Sequence, residues 1–221
     1  MKILAIETAT EACSAALLVD DNVTTRSEVA PRQHTSLILP MVDSLLQEAA
    51  IEVAGLDAIA FGQGPGAFTG VRIAIGVVQG LAFAHDIPVI PVSSMAALAQ
   101  QQAEKHANIA VAIDARMQEI YWGLFHRDND GIMQLSGKEV VCAPESIELP
   151  AGADWFGVGS GWQTYSNILA QRCDGRLTGY EGERFPLAAD VLAIAKQRFL
   201  QGATSSVLEA APVYLRNKVI N

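Results

Sequence analysis

Two acidic residues in this sequence are placed where a side chain could act on a phosphate or a metal ion. Glu7 and Asp114 each end a short apolar segment. Backbone N–H groups in the loop after such an acid can bind phosphate if small residues or glycines allow close approach. Small residues follow Glu7, but Ala115 and Arg116 stand after Asp114 in place of glycines. A later glycine run, residues 157–161, could contact an adenosine or simply pack a strand against a helix. We therefore predict only a degenerate nucleotide site, formed by Glu7, Thr8, Thr10, Asp114, Arg116 and Gly159.

Other candidates for catalysis are few. The histidines are His34, His85, His106 and His126. No two of them have the spacing that places two metal ligands on one helical face. No GxSxG nucleophile elbow occurs, and Ser93-Ser94 is interpreted as a helix cap. The sequence predicts no catalytic residue and no metal site, and Asp114 with Arg116 is interpreted as a structural ion pair.

A glycine-rich corner, residues 62–72, separates an apolar strand from a helix. Gly64, Pro65 and Gly66 suit a turn that needs a positive φ followed by a fixed φ. Thr69 is predicted to be the N-cap of the helix. Such a corner can hold an anion or merely close the turn. Because no Lys-Ser/Thr follows the glycines, it is not a nucleotide P-loop.

The helix predicted over residues 69–85 has almost no charge. Its strongly polar side chains are Arg72, Gln79 and His85. A helix that is apolar on nearly all sides is buried on nearly all sides. Gly76 and Gly80, four residues apart, would let another helix approach closely. The face is predicted to pack against a neighbouring helix of the same chain or against another subunit.

The elements that position these residues begin with a three-stranded antiparallel meander. Its predicted strands are residues 3–7, 12–19 and 23–29, and they are followed by a helix over 34–50, a strand over 56–61, the uncharged helix, a strand over 89–92 and a helix over 93–105. The pattern then restarts, because a shift of 107 positions places Ala5-Ile6-Glu7 on Ala112-Ile113-Asp114. This match predicts a duplicated β-sheet lobe and two domains, residues 1–105 and 106–221.

The second lobe is marked more weakly. Its further predicted elements are strands over 138–142 and 155–158, a helix start at Pro144, and helices over 162–172 and 187–200, the last capped by Gly202. The tail, residues 212–218, is predicted to be solvated.

Composition limits the function classes. The chain has 221 residues, half of them apolar and 18% charged, so it can form a substantial core. Its net charge of −9 argues against autonomous nucleic-acid binding, which depends on cationic neutralisation of phosphates. Cys13, Cys142 and Cys173 form no CxxC pair, which indicates reduced thiols in a cytoplasm. Glu7 and Glu11 interrupt any signal-peptide core, and no apolar run predicts a membrane span.

Several of these segments also carry a family resemblance. They are ILAIETAT at 3–10, GPGAFTGVR at 64–72, DARM at 114–117 and the tail residues 214–216. Together they resemble the TsaB (YeaZ) family of bacterial tRNA threonylcarbamoyladenosine biosynthesis proteins. The resemblance implies an α/β, two-lobed actin-like ATPase (ribonuclease H-like, ASKHA) fold with duplicated mixed sheets. It further implies a noncatalytic paralogue of TsaD, the enzyme that transfers the threonylcarbamoyl group.

The comparison with TsaD also implies where function was lost. TsaD carries metal-binding histidines after the strand that matches residues 89–92, and here Ser94 and Leu98 occupy those positions. The phosphate loop of TsaD is matched by residues 114–118. The resemblance therefore implies that this chain has no cofactor of its own, and that ATP and metal are bound by partner subunits.

By the same resemblance, the chain pairs with TsaD through the helices at 36–50 and 69–85. The predicted interface residues are Leu39, Met41, Leu46, Arg72, Gly76, Gln79, Gly80 and Phe83. The resemblance also implies that the ATPase TsaE completes the assembly, that tRNA is reached only through the complex, and that the same helices could form a self-dimer. Two alternatives stay open: an actin-like ATP-dependent kinase or a glycoprotease-like metallohydrolase. The substitutions at Ser94, Leu98, Ala115 and Arg116 argue against both.

Overall fold

A computed structural model describes residues 1–216, which form two compact units. The first unit contains Met1–Ala97 and Pro186–Val213, and the second contains Leu98–Phe185 with the segment from Tyr214. The predicted domains were continuous, whereas these units are not. The difference arises because the segment after Phe185 returns to the first unit and packs on its sheet.

The first unit is built on a five-stranded mixed sheet in the order β3-β2-β1-β4-β5. Its strands are β1 (Lys2–Glu7), β2 (Ala12–Val19), β3 (Asn22–Val29), β4 (Ala58–Gly62) and β5 (Val89–Val92). The opening three form the predicted antiparallel meander, and β4 lies parallel to both β1 and β5. Successive residues of β1 are buried on both faces, as expected for a sheet covered on both sides.

Helices α1 (His34–Glu48) and α2 (Phe68–Phe83) pack on one face of this sheet. Their buried side chains join Leu4 and Ile6 in one hydrophobic cluster. A third helix, α3 (Ser94–Gln100), begins after β5, and the Ser93 hydroxyl accepts hydrogen bonds from the N–H groups of Met95 and Ala96. The predicted cap at Ser93 is therefore confirmed, although the helix ends five residues before the predicted boundary.

The second unit repeats the same sheet. Its strands are β6 (Asn108–Asp114), β7 (Ile120–Arg127), β8 (Met133–Cys142), β9 (Trp155–Val158) and β10 (Leu177–Glu181). Their order is β10-β9-β6-β7-β8. Starting from β8, the sheet has two antiparallel pairs followed by two parallel pairs, as the first sheet has starting from β3. The predicted duplication is therefore confirmed, with β6 equivalent to β1.

Helix α4 (Ser160–Arg172) packs on the second sheet through Trp162 and Leu169. Only a single 3₁₀ turn, Pro144–Ser146, stands at the predicted helix start. Helix α5 (Ala188–Leu200) covers the other face of the first sheet. The N–H of Ala188 donates to Ser14 Oγ, and Ser14 points to the face opposite Cys13 and Ala15, which pack in the cluster with α1. As predicted, Gly202 ends this helix in a left-handed conformation, with φ of 72°.

Candidate functional site

Glu7, at the end of β1, turns its carboxyl group into the first unit. Ser94 Oγ donates to Glu7 Oε2 at 2.7 Å, and the N–H of Ala9 donates to Oε1 at 2.6 Å. A Cβ on Gly62 would lie 1.9 Å from Oε2, so the carboxyl fits only because residue 62 is glycine. Complete burial raises the pKa of Glu7 to about 7, outweighing the hydrogen bonds that lower it. The acid is thus part of the interior.

The loop after Glu7 is covered by the glycine corner. Thr8 Oγ1 donates to the carbonyl of Gly70 at 2.8 Å, and the N–H of Ala67 donates to that of Ala9 at 2.7 Å. A Cβ on Gly66 would lie 2.3 Å from Ala9 O, and one on Gly70 would lie 2.1 Å from Thr8 O. Only glycine permits this approach. The contacts favour the structural interpretation of the corner, which closes the strand–helix turn.

Two local predictions for the corner have different outcomes. Gly64 has the predicted positive φ, at 91°. The predicted cap at Thr69 is wrong, because α2 begins at Phe68 with Ala67 at the N-cap position and no side-chain cap. The Ala67 N–H donates to Ala9 O in the loop after β1, and the N-cap lies two residues earlier than predicted. Thr10 is buried with its hydroxyl unbonded among residues 1–216.

The second unit places Asp114 at the end of β6. Its carboxylate accepts from the backbone N–H of Arg116 at 2.9 Å and from the guanidinium of Arg116 at 3.1 Å, so the predicted ion pair is confirmed. Gly159 has φ of 110°, and a Cβ there would lie 2.5 Å from Ala112 O. This glycine lets the start of α4 pack against β6. The degenerate nucleotide site draws on residues of both units and stays a prediction.

Within the part of the chain that the structure describes, no three His, Cys, Asp or Glu residues are grouped so that they could hold a metal ion. Ser94 bonds to Glu7, and Leu98 is fully buried. Of the predicted non-ligand histidines, His34 is buried at the start of α1, and His106 stacks on Phe156. No helix among residues 1–216 is long and apolar enough to cross a membrane.

Helix α2 leaves one side uncovered, which we call the α2 face. It consists of Phe68, Arg72, Gly76, Gln79, Gly80 and Phe83, all exposed. Among residues 1–216, no atom lies within 4 Å of the position that a Cβ on Gly76 or Gly80 would occupy. These two glycines therefore do not pack against the described part of the chain, which argues against one of the two interpretations of their spacing.

The remaining side chains of the face keep it accessible and nearly uncharged. Phe83 is 69% exposed. The Arg72 guanidinium lies 3.2 Å from the centre of the Phe68 ring, so the one charge of the helix is held against an aromatic surface. The Gln79 amide donates to Ala210 O at 3.2 Å, which ties the 3₁₀ turn Val207–Glu209 to α2.

The predicted interface residues of α1 are placed differently from one another. Leu39 is exposed, and Met41 is half-buried against the core. Leu46 is only 7% exposed and lies in the core, so it must be removed from the candidate surface. It follows Ile38 and Val42 at four-residue spacing and faces the sheet with them. The interface residues predicted from the sequence did not include Phe68 or Leu208. Leu208 is 79% exposed and lies on the 3₁₀ turn that is bonded to α2.

Two sheets with the same strand order, each opening with a strand that ends on an acid, define a two-lobed protein of the actin-like, ribonuclease H-like class.

The family model described as "TsaD: tRNA N6-adenosine threonylcarbamoyltransferase" matches residues 19–216. The chain is 43% identical to the tRNA threonylcarbamoyladenosine biosynthesis protein TsaB of Escherichia coli K12, with 99% of this chain and 96% of the relative covered. The protein of that name from Haemophilus influenzae is 42% identical, with 99% and 95% covered.

A solved structure of YeaZ from Pseudomonas aeruginosa superposes with a TM-score of 0.90 at 46% identity, covering 97% of this chain and 99% of that one. A second structure with the same values is described as an uncharacterized protein with similarity to peptidase YEAZ. The chain belongs to the TsaB (YeaZ) family.

Proposed function

We propose that this protein is a noncatalytic subunit in tRNA threonylcarbamoyladenosine biosynthesis, and that it binds and activates the enzyme TsaD through the α2 face. The curated relatives are named for this biosynthesis, and the matching family model is described as the transferase. The observation that carries the proposal is the open surface at Gly76 and Gly80.

The α2 face has the composition of a buried contact. The centres of protein interfaces are depleted of charge and well packed. Between Arg72 and the end of α2 no charged residue occurs, and the two open glycines allow a helix of the partner to approach the backbone. Exposed aromatic residues stand at both ends of this stretch, Phe68 and Phe83, and could act as anchors.

The noncatalytic role is supported by how the two acids are used. The Glu7 carboxyl is buried and bonded to Ser94, and Asp114 is bonded to Arg116. A kinase or a metallohydrolase would need such acids accessible to a nucleotide or a metal ion. We propose that TsaD provides the metal site, that TsaE provides the ATPase, and that tRNA is bound only by the complex. We also place the protein in the cytoplasm, where its three free cysteines stay reduced.

The partner contact is tested by Gly80→Arg, with Ala193→Arg as the matched control. Ala193 is an exposed residue of α5, on the opposite face of the same sheet, so the control adds the same charge to a helix of the same unit. At the centre of the contact a buried arginine without a counter-ion costs about 3–5 kcal/mol. We therefore expect Gly80→Arg to weaken binding to TsaD at least roughly 100-fold, without loss of helical content by circular dichroism.

Sedimentation velocity of each variant mixed with TsaD measures this binding, and each variant alone measures self-association. We expect Ala193→Arg to behave like the unaltered chain. If Gly80→Arg binds TsaD normally, the interface lies elsewhere. If only self-association is lost, the α2 face is the contact between two copies of this chain and not the contact with TsaD.

A further inference from the structure

The hairpin between β6 and β7 has an unusual backbone. Arg116, Met117 and Gln118 are three successive residues with left-handed φ, at 63°, 55° and 62°. None is a glycine, and side-chain-bearing residues visit this region singly and at a cost. The turn is closed by two backbone hydrogen bonds, from Ala115 N–H to Glu119 O and from Glu119 N–H to Arg116 O. The Asp114 carboxylate also accepts from the backbone N–H and the guanidinium of Arg116, which supports the start of the turn but not Met117 and Gln118.

Arg216, from the C-terminal segment of the same unit, binds to this hairpin. Its Nη2 lies 3.1 Å from Ala115 O, 3.5 Å from Arg116 O and 2.5 Å from Glu119 Oε2. Its Nη1 lies 3.7 Å from the sulfur of Met117. One guanidinium group thus bonds to four residues of a five-residue turn. The tail predicted to be solvated, residues 212–218, is instead bound at Val213, whose N–H donates to Gln63 O, and at Arg216; residues 217 and 218 lie outside the described residues.

We propose that residues 115–119 form a guanidinium-binding site, that Arg216 is its intramolecular occupant, and that this occupant maintains the left-handed turn. The site has two backbone carbonyls, a carboxylate and a thioether, all of which are acceptors for a planar cation with several N–H donors. This proposal is independent of the function proposed for the α2 face.

The chemistry of the site selects arginine over other cations. The guanidinium of Arg216 uses both terminal nitrogens of its fixed fork, since Nη2 bonds to the Ala115 carbonyl and the Glu119 carboxylate while Nη1 contacts the Met117 sulfur. A lysine ammonium is a point charge on a flexible chain and is more strongly hydrated. Glu119 balances the charge of Arg216, while Asp114 balances that of Arg116. The Glu119 carboxylate is therefore available to pair with one guanidinium group at the site.

The conformation of Met117, at the tip of the turn, depends on whether Arg216 occupies the site. Met117 is 65% exposed although its sulfur contacts Arg216, so an apolar side chain is held out toward solvent in one conformation. When Arg216 leaves, the left-handed residues lose the contacts that offset their cost, and the turn relaxes. Release of Arg216 from the site therefore changes the conformation of the β6–β7 turn.

The test uses the full chain with Arg216→Ala, followed by chemical rescue with guanidinium ion. Hydrogen exchange at the amides of Ala115 and Glu119 reports the turn. Since charge-assisted hydrogen bonds are lost, we expect both amides to exchange roughly 10- to 100-fold faster in the variant. Guanidinium chloride at about 50 mM, far below the molar concentrations that unfold proteins, should restore slow exchange. The same concentration of sodium chloride should not.

Two further variants make the test specific. Arg216→Lys keeps the charge but not the forked donors, so the amides of Ala115 and Glu119 should exchange as fast as in Arg216→Ala. Arg176→Ala removes a guanidinium of the same unit that donates to the carbonyls of Cys173 and Leu149, and it should leave the turn unchanged. Unaltered exchange in Arg216→Ala, fast exchange that guanidinium does not reverse, or full protection in Arg216→Lys would each overturn the proposal.

Discussion

The carboxyl group of Glu7 lies in an environment that favours its neutral, protonated form. Glu7 is fully buried, and its carboxyl group accepts from the Ser94 hydroxyl and from backbone N–H groups of the loop that follows it. These hydrogen bonds do not replace the hydration of a carboxylate, so the pKa of Glu7 rises from 4.5 to about 7. The group therefore keeps its proton in the folded protein at pH values where the unfolded chain loses it.

This difference gives a stability that depends on pH. Below pH 4.5 Glu7 is protonated in both states and its contribution to stability is fully present. As the pH rises toward 7, only the unfolded state releases the proton, and the unfolding free energy falls by about 3 kcal/mol in total. Above pH 7 both states are ionised and this decline stops.

The variant Glu7→Gln should remove this decline, because an amide of the same shape cannot ionise and can still bond to Ser94 and Ala9. Urea unfolding of both proteins from pH 4.5 to pH 8 measures the effect, and the other carboxyl groups cancel in the comparison. We expect the variant to gain about 3 kcal/mol relative to the unaltered chain across this range. Parallel pH profiles would show that Glu7 is already ionised in the folded state.

Helix α2 contains glycines of two kinds, and the difference separates folding from binding. Gly70 faces the loop after β1, where a Cβ would lie 2.1 Å from Thr8 O. Gly76 and Gly80 meet no neighbouring atom within the described residues. Gly70 is needed by the fold of the free chain. Gly76 and Gly80 lower the intrinsic helix propensity of the free chain, and the proposed contact with a partner gives them a use.

Single alanine substitutions test this distinction. Gly80→Ala should raise the unfolding free energy by about 1 kcal/mol, since alanine is the better helix former. Gly70→Ala should lower it by about 1–3 kcal/mol, because the backbone has to move to admit the methyl group. Urea unfolding measures both. A gain in stability for both variants would mean that the loop after β1 yields freely, and a loss for both would mean that Gly80 is packed within the chain.

At the same scale, sequence periodicity located the helices better than it located their surfaces. The spacing of apolar residues in α1 indicated an amphipathic helix but could not separate Leu39, which is exposed, from Leu46, which is in the core. Both are leucines of one helix, and only the position of the sheet decides between them. The start of α2 was misplaced for a similar reason, since a hydrogen bond to Ala9 fixes it and no local cap does.

For the whole molecule, duplication was the most informative pattern. The shift that places Glu7 on Asp114 identified equivalent strands, and both sheets have the same order. Contacts between segments distant in sequence were not predictable. The return of α5 to the first sheet, strand β10 and the binding of Arg216 to the β6–β7 turn leave no local signal. The buried orientation of Glu7 likewise depends on Ser94, which is 87 residues away.

We propose that this chain acts by binding TsaD through the α2 face and carries out no chemistry of its own. The most direct test measures threonylcarbamoyl formation on tRNA by TsaD and TsaE, supplied with ATP and the activated donor. The chain is omitted, added, or added as Gly80→Arg. We expect no product from the chain alone, strong stimulation of the enzyme by the unaltered chain, and none by Gly80→Arg at the same concentration. Product formed by the chain alone would show that it is catalytic, and full stimulation by Gly80→Arg would show that the α2 face is not the contact with TsaD.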